Sequence, residues 1–122
     1  MPLVSGDVLY VWCDRISPPH DKYCICVSPE DRWFLFINTK PPRAREAAVL
    51  IRSYELDCLD HNSYVDTSFV YMLSEDEIAS ALARRGRHKG PLSNMLKLRI
   101  KTNVRNHYLL RKELRDAIMH RL

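Results

Sequence analysis

The chain has 122 residues, of which 46% are hydrophobic, and it carries a formal net charge of +4. This length suits one ordinary domain that buries about two-thirds of its unfolded surface and needs no disulfide bonds or metal ions for stability. No apolar run approaches the roughly 20 residues of a membrane-spanning helix, and the N-terminus lacks the features of a signal peptide. We therefore expect a single domain over residues 1–122, located in the cytoplasm and without membrane contact.

Runs rich in β-branched and aromatic residues predict strands in the first part of the chain. These runs cover residues 8–13, 22–27, 32–38, 47–51 and 68–73. A further stretch, 54–59, is short and only half apolar. Prolines at 18 and 19 exclude a regular strand between 14 and 21, which is therefore predicted to be a loop.

After residue 73 the pattern changes to helical spacing. Ser74 to Glu77 form a capping box, and the helix that follows is expected to end near Gly86. Residues 84–91 are basic and rich in helix breakers, which predicts a linker. Apolar residues then recur at helical spacing from Leu92, and Asn106 is expected to cap a final helix.

Strands followed by helices indicate an α+β fold. Several short strands joined by loops favour a small, strongly bent antiparallel β-barrel. We expect this barrel to cover residues 6–73 and the helical part to cover 74–122. The final helix carries a wide apolar stripe, which favours a homodimer, although packing on the barrel alone explains it as well. The stripe consists of Leu109, Leu110, Leu114, Ile118 and Met119.

A polar segment, 55–68, lies between two strand-like runs. It contains carboxylates, one histidine and several hydroxyls, and such segments often hold the working groups of small β-domains. The alternative is a hairpin turn in which these side chains satisfy their own backbone. The sequence leaves both interpretations open.

Four cysteines are present, at positions 13, 24, 26 and 58. Cys24 and Cys26 share one face of a strand, a spacing that suits a zinc site poorly. Cys58 and His61 have no second pair of matching spacing. We therefore expect reduced thiols, no metal and no cofactor.

The positive charge lies in the second half of the chain. Residues 1–61 carry seven Lys or Arg against nine Asp or Glu, whereas residues 62–122 carry twelve against six. A basic half is a reason to consider nucleic acid as a partner. Solvated helix faces produce the same asymmetry.

Four segments resemble parts of one toxin family when taken in chain order. They are Gly6-Asp7-Val8-Leu9-Tyr10-Val11, Tyr23-Cys24-Ile25-Cys26-Val27-Ser28, Asn38-Thr39, and Ser63 to Asp66 with the capped helix start at Ser74 to Ile78. Over roughly residues 5–83 the chain is similar to the PemK/MazF-like toxins. The resemblance implies an SH3-like barrel, a dimer, cleavage of single-stranded RNA and an antitoxin-like protein partner.

The family commonly has Arg-Pro at the start of its second strand, where this chain has Lys22-Tyr23. Lysine cannot make the same bidentate phosphate contact as arginine. Two functions therefore stay open: a metal-independent endoribonuclease, and a non-catalytic module on the same fold that binds RNA or a protein.

Metal-free RNA cleavage needs a base, an acid and a cation on the phosphate. Residues of these types, which are the candidate catalytic groups, are His20, Lys22, Thr39, His61 and Asp66. The candidate RNA-binding cations are Lys40, Arg43, Arg45, Arg84, Arg85, Arg87 and Lys89. Aromatic residues that can stack on bases are Trp12, Tyr23, Trp33 and Tyr64. Each of these residues is also compatible with a solvated loop or a core position.

Overall fold

The computed structural model describes residues 2–122, in which seven strands and three α-helices are found. The strands are β1 (Asp7–Cys13), β2 (His20–Ser28), β3 (Trp33–Asn38), β4 (Ala48–Ile51), β5 (Ser63–Asp66), β6 (Tyr71–Met72) and β7 (His88–Pro91). The helices are α1 (Glu75–Ala83), α2 (Asn94–Arg105) and α3 (Lys112–Arg121). The predicted α+β class is confirmed. Within residues 2–122 none of the helices is long and apolar enough to cross a membrane.

The strands form one antiparallel sheet in the order β4-β5-β3-β2-β1-β7, and β6 also pairs with β3. β3 contacts β5 through Ile37 and Asn38, and β6 through Trp33 and Phe34. The sheet is not closed, because no pairing joins β4 to β7 in the described chain. Of the expected bent antiparallel barrel, the structure thus contains an antiparallel sheet that is not closed.

Helix α2 lies along the open edge at β4. Arg99 Nη1 donates to the carbonyl oxygen of Leu50 at 3.1 Å, and Asn103 Nδ2 donates to that of Glu46 at 2.8 Å. The Leu50 carbonyl is an edge group that another strand would otherwise pair, whereas Glu46 lies in a short 3-10 helix, Arg45–Ala47, just before β4. The edge is thus covered by a helix and not by barrel closure.

Each face of the sheet packs against helices. Strand residues alternate between the two faces, so two apolar clusters form. Leu9, Phe34 and Phe36 pack with Ala81 of α1 on one face. On the opposite face the sheet packs with α2 and α3, through Val8, Ile25, Leu35, Ile37, Leu96, Ile100, Val104 and Ile118 among others.

The predicted linker 84–91 contains strand β7, so that prediction is wrong. β7 pairs with β1 from Asp7 to Leu9, with a register shift between Val8 and Leu9. Gly90, at φ +87°, lies in this strand. Backbone pairing needs no apolar side chains, and for this reason the basic sequence gave no strand signal.

Two further segments differ from the prediction. The predicted strand 68–73 is reduced to the two residues of β6, and the polar segment 55–68 contains β5, in which Ser63 and Val65 are buried. The turn interpretation of that segment is therefore only partly right. Its first half remains a turn, with a short 3-10 helix at Ser53–Glu55.

Asn106 does not begin the final helix. It ends α2 as its C-cap, whereas α3 starts after Arg111, which makes no side-chain cap hydrogen bond. Leu110 and Ile118 of the apolar stripe are buried against the sheet within the same chain. Leu109 of the stripe is exposed, and the homodimer stays a prediction.

Candidate active site

A cleft of about 370 Å³ opens where β2 begins and β3 ends. Segment 58–63 forms its opposite wall. Four of the five predicted catalytic residues line it, namely His20, Lys22, Thr39 and His61. Antiparallel pairing is the reason, because it brings the first residues of β2 beside the last residues of β3.

His20 is the first residue of β2, and its side chain is exposed. Its Nδ1 donates to the carbonyl oxygen of Pro18 at 2.8 Å. A carbonyl oxygen only accepts, so Nδ1 carries the hydrogen and Nε2 of the neutral ring keeps its lone pair. His20 is thereby oriented as a proton acceptor.

His61 contacts oxygens through both ring nitrogens. Nδ1 lies 3.1 Å from the carbonyl oxygen of Asn62 and 3.3 Å from Oγ of Ser63, and Nε2 lies 3.4 Å from Oδ1 of Asp60. A protonated ring can therefore donate from each nitrogen. These contacts hold the imidazole beside Asp60 at the cleft wall.

Lys22 is half-buried at the inner end of the cleft. Its ammonium group donates to Oδ1 of Asn38 and lies 5.7 Å from the centroid of the Phe36 ring. Burial lowers the pKa of Lys22, while nearby Cys13 and Asp66 oppose that shift. Lys22 is thus a partly desolvated cation that lies near Asn38, Phe36, Cys13 and Asp66.

Asp66 does not line the cleft. Its Oδ1 accepts hydrogen bonds from the backbone N–H of Ser68 at 2.9 Å and from Ser68 Oγ at 2.5 Å. The carboxylate stabilises the turn after β5, as Asp commonly does. It is nevertheless close enough to Lys22 to affect the pKa of that residue.

Three features of the cleft wall were not predicted from the sequence. Tyr10 lines it beside Tyr23, and the centroids of the two rings are 4.3 Å apart. Asp21 forms an ion pair with Arg87, and Asp60 contacts His61. The alternation of β1 and β2 could have placed Tyr10 and Asp21, but the Arg87 contact spans 66 residues and gave no local signal.

The predicted RNA-binding cations do not share one cavity. Lys40, Arg43 and Arg45 lie in the exposed or half-exposed segment between β3 and β4. Arg84 and Arg85 line a cavity near the N-terminus, and Lys89 lines another beside Asp57 and Cys58. Arg87 alone reaches the cleft wall, through its ion pair with Asp21.

A cavity of about 710 Å³ lies between β4 and α2, away from the cleft. Its charged pair is Arg99 and Glu55, which make two hydrogen bonds of 3.0 and 2.7 Å. The hydrogen bond from Arg99 lowers the pKa of Glu55 to about 2. This cavity therefore offers no carboxyl group able to exchange protons at neutral pH.

All four thiols are free, and Cys13, Cys24 and Cys26 are buried. Among residues 2–122 no three His, Cys, Asp or Glu side chains are grouped so as to hold a metal ion. The two histidines and Lys22 are the groups in the cleft that suit proton transfer and anion binding.

No known family model matches the chain, and no match to it is found among curated proteins or solved structures. The functional argument therefore rests on the chemistry of the cleft and on its position in the sheet.

Proposed function

We propose that this chain is a PemK/MazF-like, toxin-type endoribonuclease that cleaves single-stranded RNA without a metal ion. One observation carries the proposal: His20, Lys22, Thr39 and His61 come from separate positions in the sequence and line one cleft. Two imidazoles and an ammonium group supply the base, the acid and the cation that this reaction needs.

The reaction begins at the ribose 2′-hydroxyl. His20 Nε2, left as an acceptor by the Pro18 hydrogen bond, takes the proton while the 2′-oxygen attacks phosphorus. The bond from phosphorus to the 5′-oxygen breaks, and His61 donates a proton to that oxygen. The products are a 2′,3′-cyclic phosphate and a free 5′-hydroxyl.

Lys22 and Thr39 act on the phosphate. The ammonium group of Lys22 stabilises the extra negative charge that develops on the phosphoryl oxygens. The Thr39 hydroxyl donates to one of these oxygens and fixes its position. The partly buried setting of Lys22 strengthens this attraction, because less water screens the charges.

The proposal includes an SH3-like, strongly bent sheet and a cytoplasmic location. Support for the bend comes from β3, which pairs with β5 at one end and with β6 at the other. Four free thiols suit a reducing compartment, and that is also where RNA substrates occur.

The test is cleavage of labelled single-stranded RNA in the presence of EDTA. Wild type is compared with His20→Ala, His61→Ala and Lys22→Ala, and with His120→Ala as a control on the exposed end of α3. We expect each histidine variant of the cleft to lose about 10²- to 10⁴-fold in rate. RNA with a 2′-deoxy substitution at the cleaved position should resist cleavage.

Two results would overturn the proposal. One is the absence of cleavage by wild type across RNAs of varied sequence. The other is cleavage that persists in both His20→Ala and His61→Ala, which would indicate a contaminating nuclease.

The alternative is a non-catalytic module that binds RNA or an antitoxin-like protein. The groove between β4 and α2 favours a protein partner, because Tyr54, Met95 and Leu98 are exposed there. The presence of Lys22-Tyr23 in place of Arg-Pro favours it as well. Under this alternative, partner binding is retained in His20→Ala and His61→Ala, and no RNA cleavage occurs.

A further inference from the structure

Trp12 is an exposed aromatic residue beside the cleft. It is 54% exposed, although it lies near the end of β1 between the buried residues Val11 and Cys13. Residues two apart on a strand face the same way, so Trp12 shares its face with Tyr10. Its cross-strand partner is Asp21. Tyr10 and Asp21 both line the cleft, and Trp12, which does not line it, lies next to them on the same face.

The other aromatic rings of this wall are already engaged. Tyr10 contacts the Tyr23 ring on one side, and the Arg87 guanidinium lies 5.0 Å from its ring centroid. The same guanidinium pairs with Asp21. Unlike Tyr10 and Tyr23, Trp12 therefore has an aromatic ring that remains exposed to solvent.

The backbone next to Trp12 is also open. Strand β7 pairs with β1 only as far as Leu9, and the final contact is the Tyr10 N–H donating to the carbonyl oxygen of Arg87 at 2.8 Å. Alternate residues of an antiparallel strand direct their N–H and C=O to the same side. The N–H and C=O of Trp12 therefore point past the end of β7, whose pairing with β1 stops at Leu9.

The register of β1 and β2 agrees with this orientation. Tyr10 pairs with Tyr23 and Trp12 with Asp21. Since the Tyr10 backbone bonds toward β7, both are non-hydrogen-bonded pairs, in which side chains approach closely. The 4.3 Å between the Tyr10 and Tyr23 ring centroids fits that geometry.

We propose that Trp12 and the free backbone edge beside it form a nucleobase subsite for single-stranded RNA. A base stacks on the indole, and its polar edge bonds to the N–H and C=O of Trp12. Stacking accepts any base. The backbone N–H and C=O add a preference for bases whose edge carries both a hydrogen-bond acceptor and a donor. This inference rests on the proposed function, because it places the bound strand at the mouth of the same cleft.

The first test uses the fluorescence of Trp12. The chain has two tryptophans, and Trp33→Phe leaves Trp12 as the only tryptophan, which is excited selectively at wavelengths that tyrosine does not absorb. Octaadenylate RNA is titrated into Trp33→Phe that also carries His61→Ala, so that the strand is not cleaved. We expect saturable quenching of Trp12. The absence of quenching at low salt would overturn the subsite.

In the second and third tests every protein, including the otherwise wild-type reference, carries His61→Ala so that the strand is not cleaved. The second test compares affinities by fluorescence anisotropy of labelled octaadenylate. Trp12→Ala should weaken binding about 5- to 150-fold, the range for losing one stacked base, while Trp12→Phe retains most of it. Tyr108→Ala is the control, because this tyrosine is 87% exposed in the segment between α2 and α3. Equal affinities for wild type and Trp12→Ala would also overturn the proposal.

The third test addresses the backbone groups. An octamer with purine in place of adenine keeps the ring but lacks the exocyclic amino donor. We expect it to bind wild type several-fold more weakly than octaadenylate does. Equal affinities would overturn the hydrogen-bonded part of the subsite.

These readouts require no cleavage, so the two proposals fail separately. Quenching and Trp12 dependence without RNA cleavage would support the subsite and overturn the endoribonuclease. Cleavage that depends on His20 and His61, without any effect of replacing Trp12, would support the endoribonuclease and overturn the subsite.

Discussion

Arg87 forms an ion pair with Asp21 across 66 residues of sequence. The same guanidinium donates to the carbonyl oxygen of Tyr10 at 3.2 Å. Its hydrogen bond to Asp21 raises the pKa of Arg87 further. These contacts connect the residue before β7 to the cleft wall, so Arg87 is engaged within the chain, although it was predicted to bind RNA.

Arg87→Ala should lower the free energy of unfolding by about 1–2 kcal/mol. The variant loses one hydrogen bond to a backbone carbonyl and a partly exposed ion pair, each of which contributes about 1 kcal/mol or less. Urea unfolding followed by circular dichroism measures the change. Arg85→Ala is the matched control, and it should stay within about 0.5 kcal/mol of wild type because Arg85 is exposed. Equal losses in both variants would contradict the prediction.

The exposed cations should determine how RNA binding depends on salt. Arg84, Arg85 and Lys89 are replaced together by alanine. If each contacts one phosphate, the slope of log affinity against log salt should fall by about 2, because each phosphate contact on a single strand contributes about 0.7. Replacing Lys40, Arg43 and Arg45 together by alanine should reduce the slope by a similar amount. Anisotropy titrations of octauridylate at several salt concentrations measure both slopes. Lys112→Ala on α3 is the control, and unchanged slopes in both triple variants would exclude these segments as phosphate contacts.

His107 should make the fold less stable in mild acid. Its Nε2 lies 2.8 Å from Thr67 Oγ1, and its Nδ1 accepts from the Leu109 N–H at 3.2 Å, so the ring is bound in its neutral form. Burial, and then Arg115, lower the pKa of His107.

The sign of the pH effect follows from that lowered pKa. Below the unfolded value of about 6.5 the unfolded chain binds a proton that the folded chain does not, so stability falls as pH falls toward the folded pKa. Free energies of unfolding at pH 7.5 and 5.5 measure this. His107→Gln should show a smaller loss than wild type, whereas His120→Gln on the exposed end of α3 should match wild type.

Cys58 should be the first thiol to react in the folded protein. Cys24 and Cys26 are buried, and burial raises the pKa of Cys26 to about 12 and that of Cys24 higher still. Cys58 is only half-buried, although burial raises its pKa as well. Iodoacetamide labelling at pH 8, followed by mass spectrometry, should give one early adduct, which disappears in Cys58→Ser. Early labelling of Cys24 would contradict this prediction.

Association should be dimeric, through a surface other than the α3 stripe. Tyr54, Met95 and Leu98 are exposed together at the groove beside β4. Leu98→Glu should shift the protein toward monomer in light scattering at high micromolar concentration. Leu109→Glu is the control, because Leu109 is exposed outside this groove. A monomeric wild type at that concentration would contradict the dimer.

The strands β1, β2 and β3 and the start of α1 were predictable from local sequence. Alternation of buried residues and the capping box at Ser74 and Glu77 are properties of a few adjacent residues, and the structure contains both. The candidate residues His20, Lys22, Thr39 and His61 could likewise be chosen by residue type and by their position in or beside loops.

The tertiary structure decided which of those residues meet. Strand pairing brings β2 and β3 together at the cleft and leaves Asp66 outside it, in a turn with Ser68. It also adds β7 to β1 through backbone hydrogen bonds, which need no apolar pattern and therefore leave no trace in the sequence. Residues far apart in the chain are brought into contact by packing that depends on the whole fold, and local patterns cannot encode that arrangement.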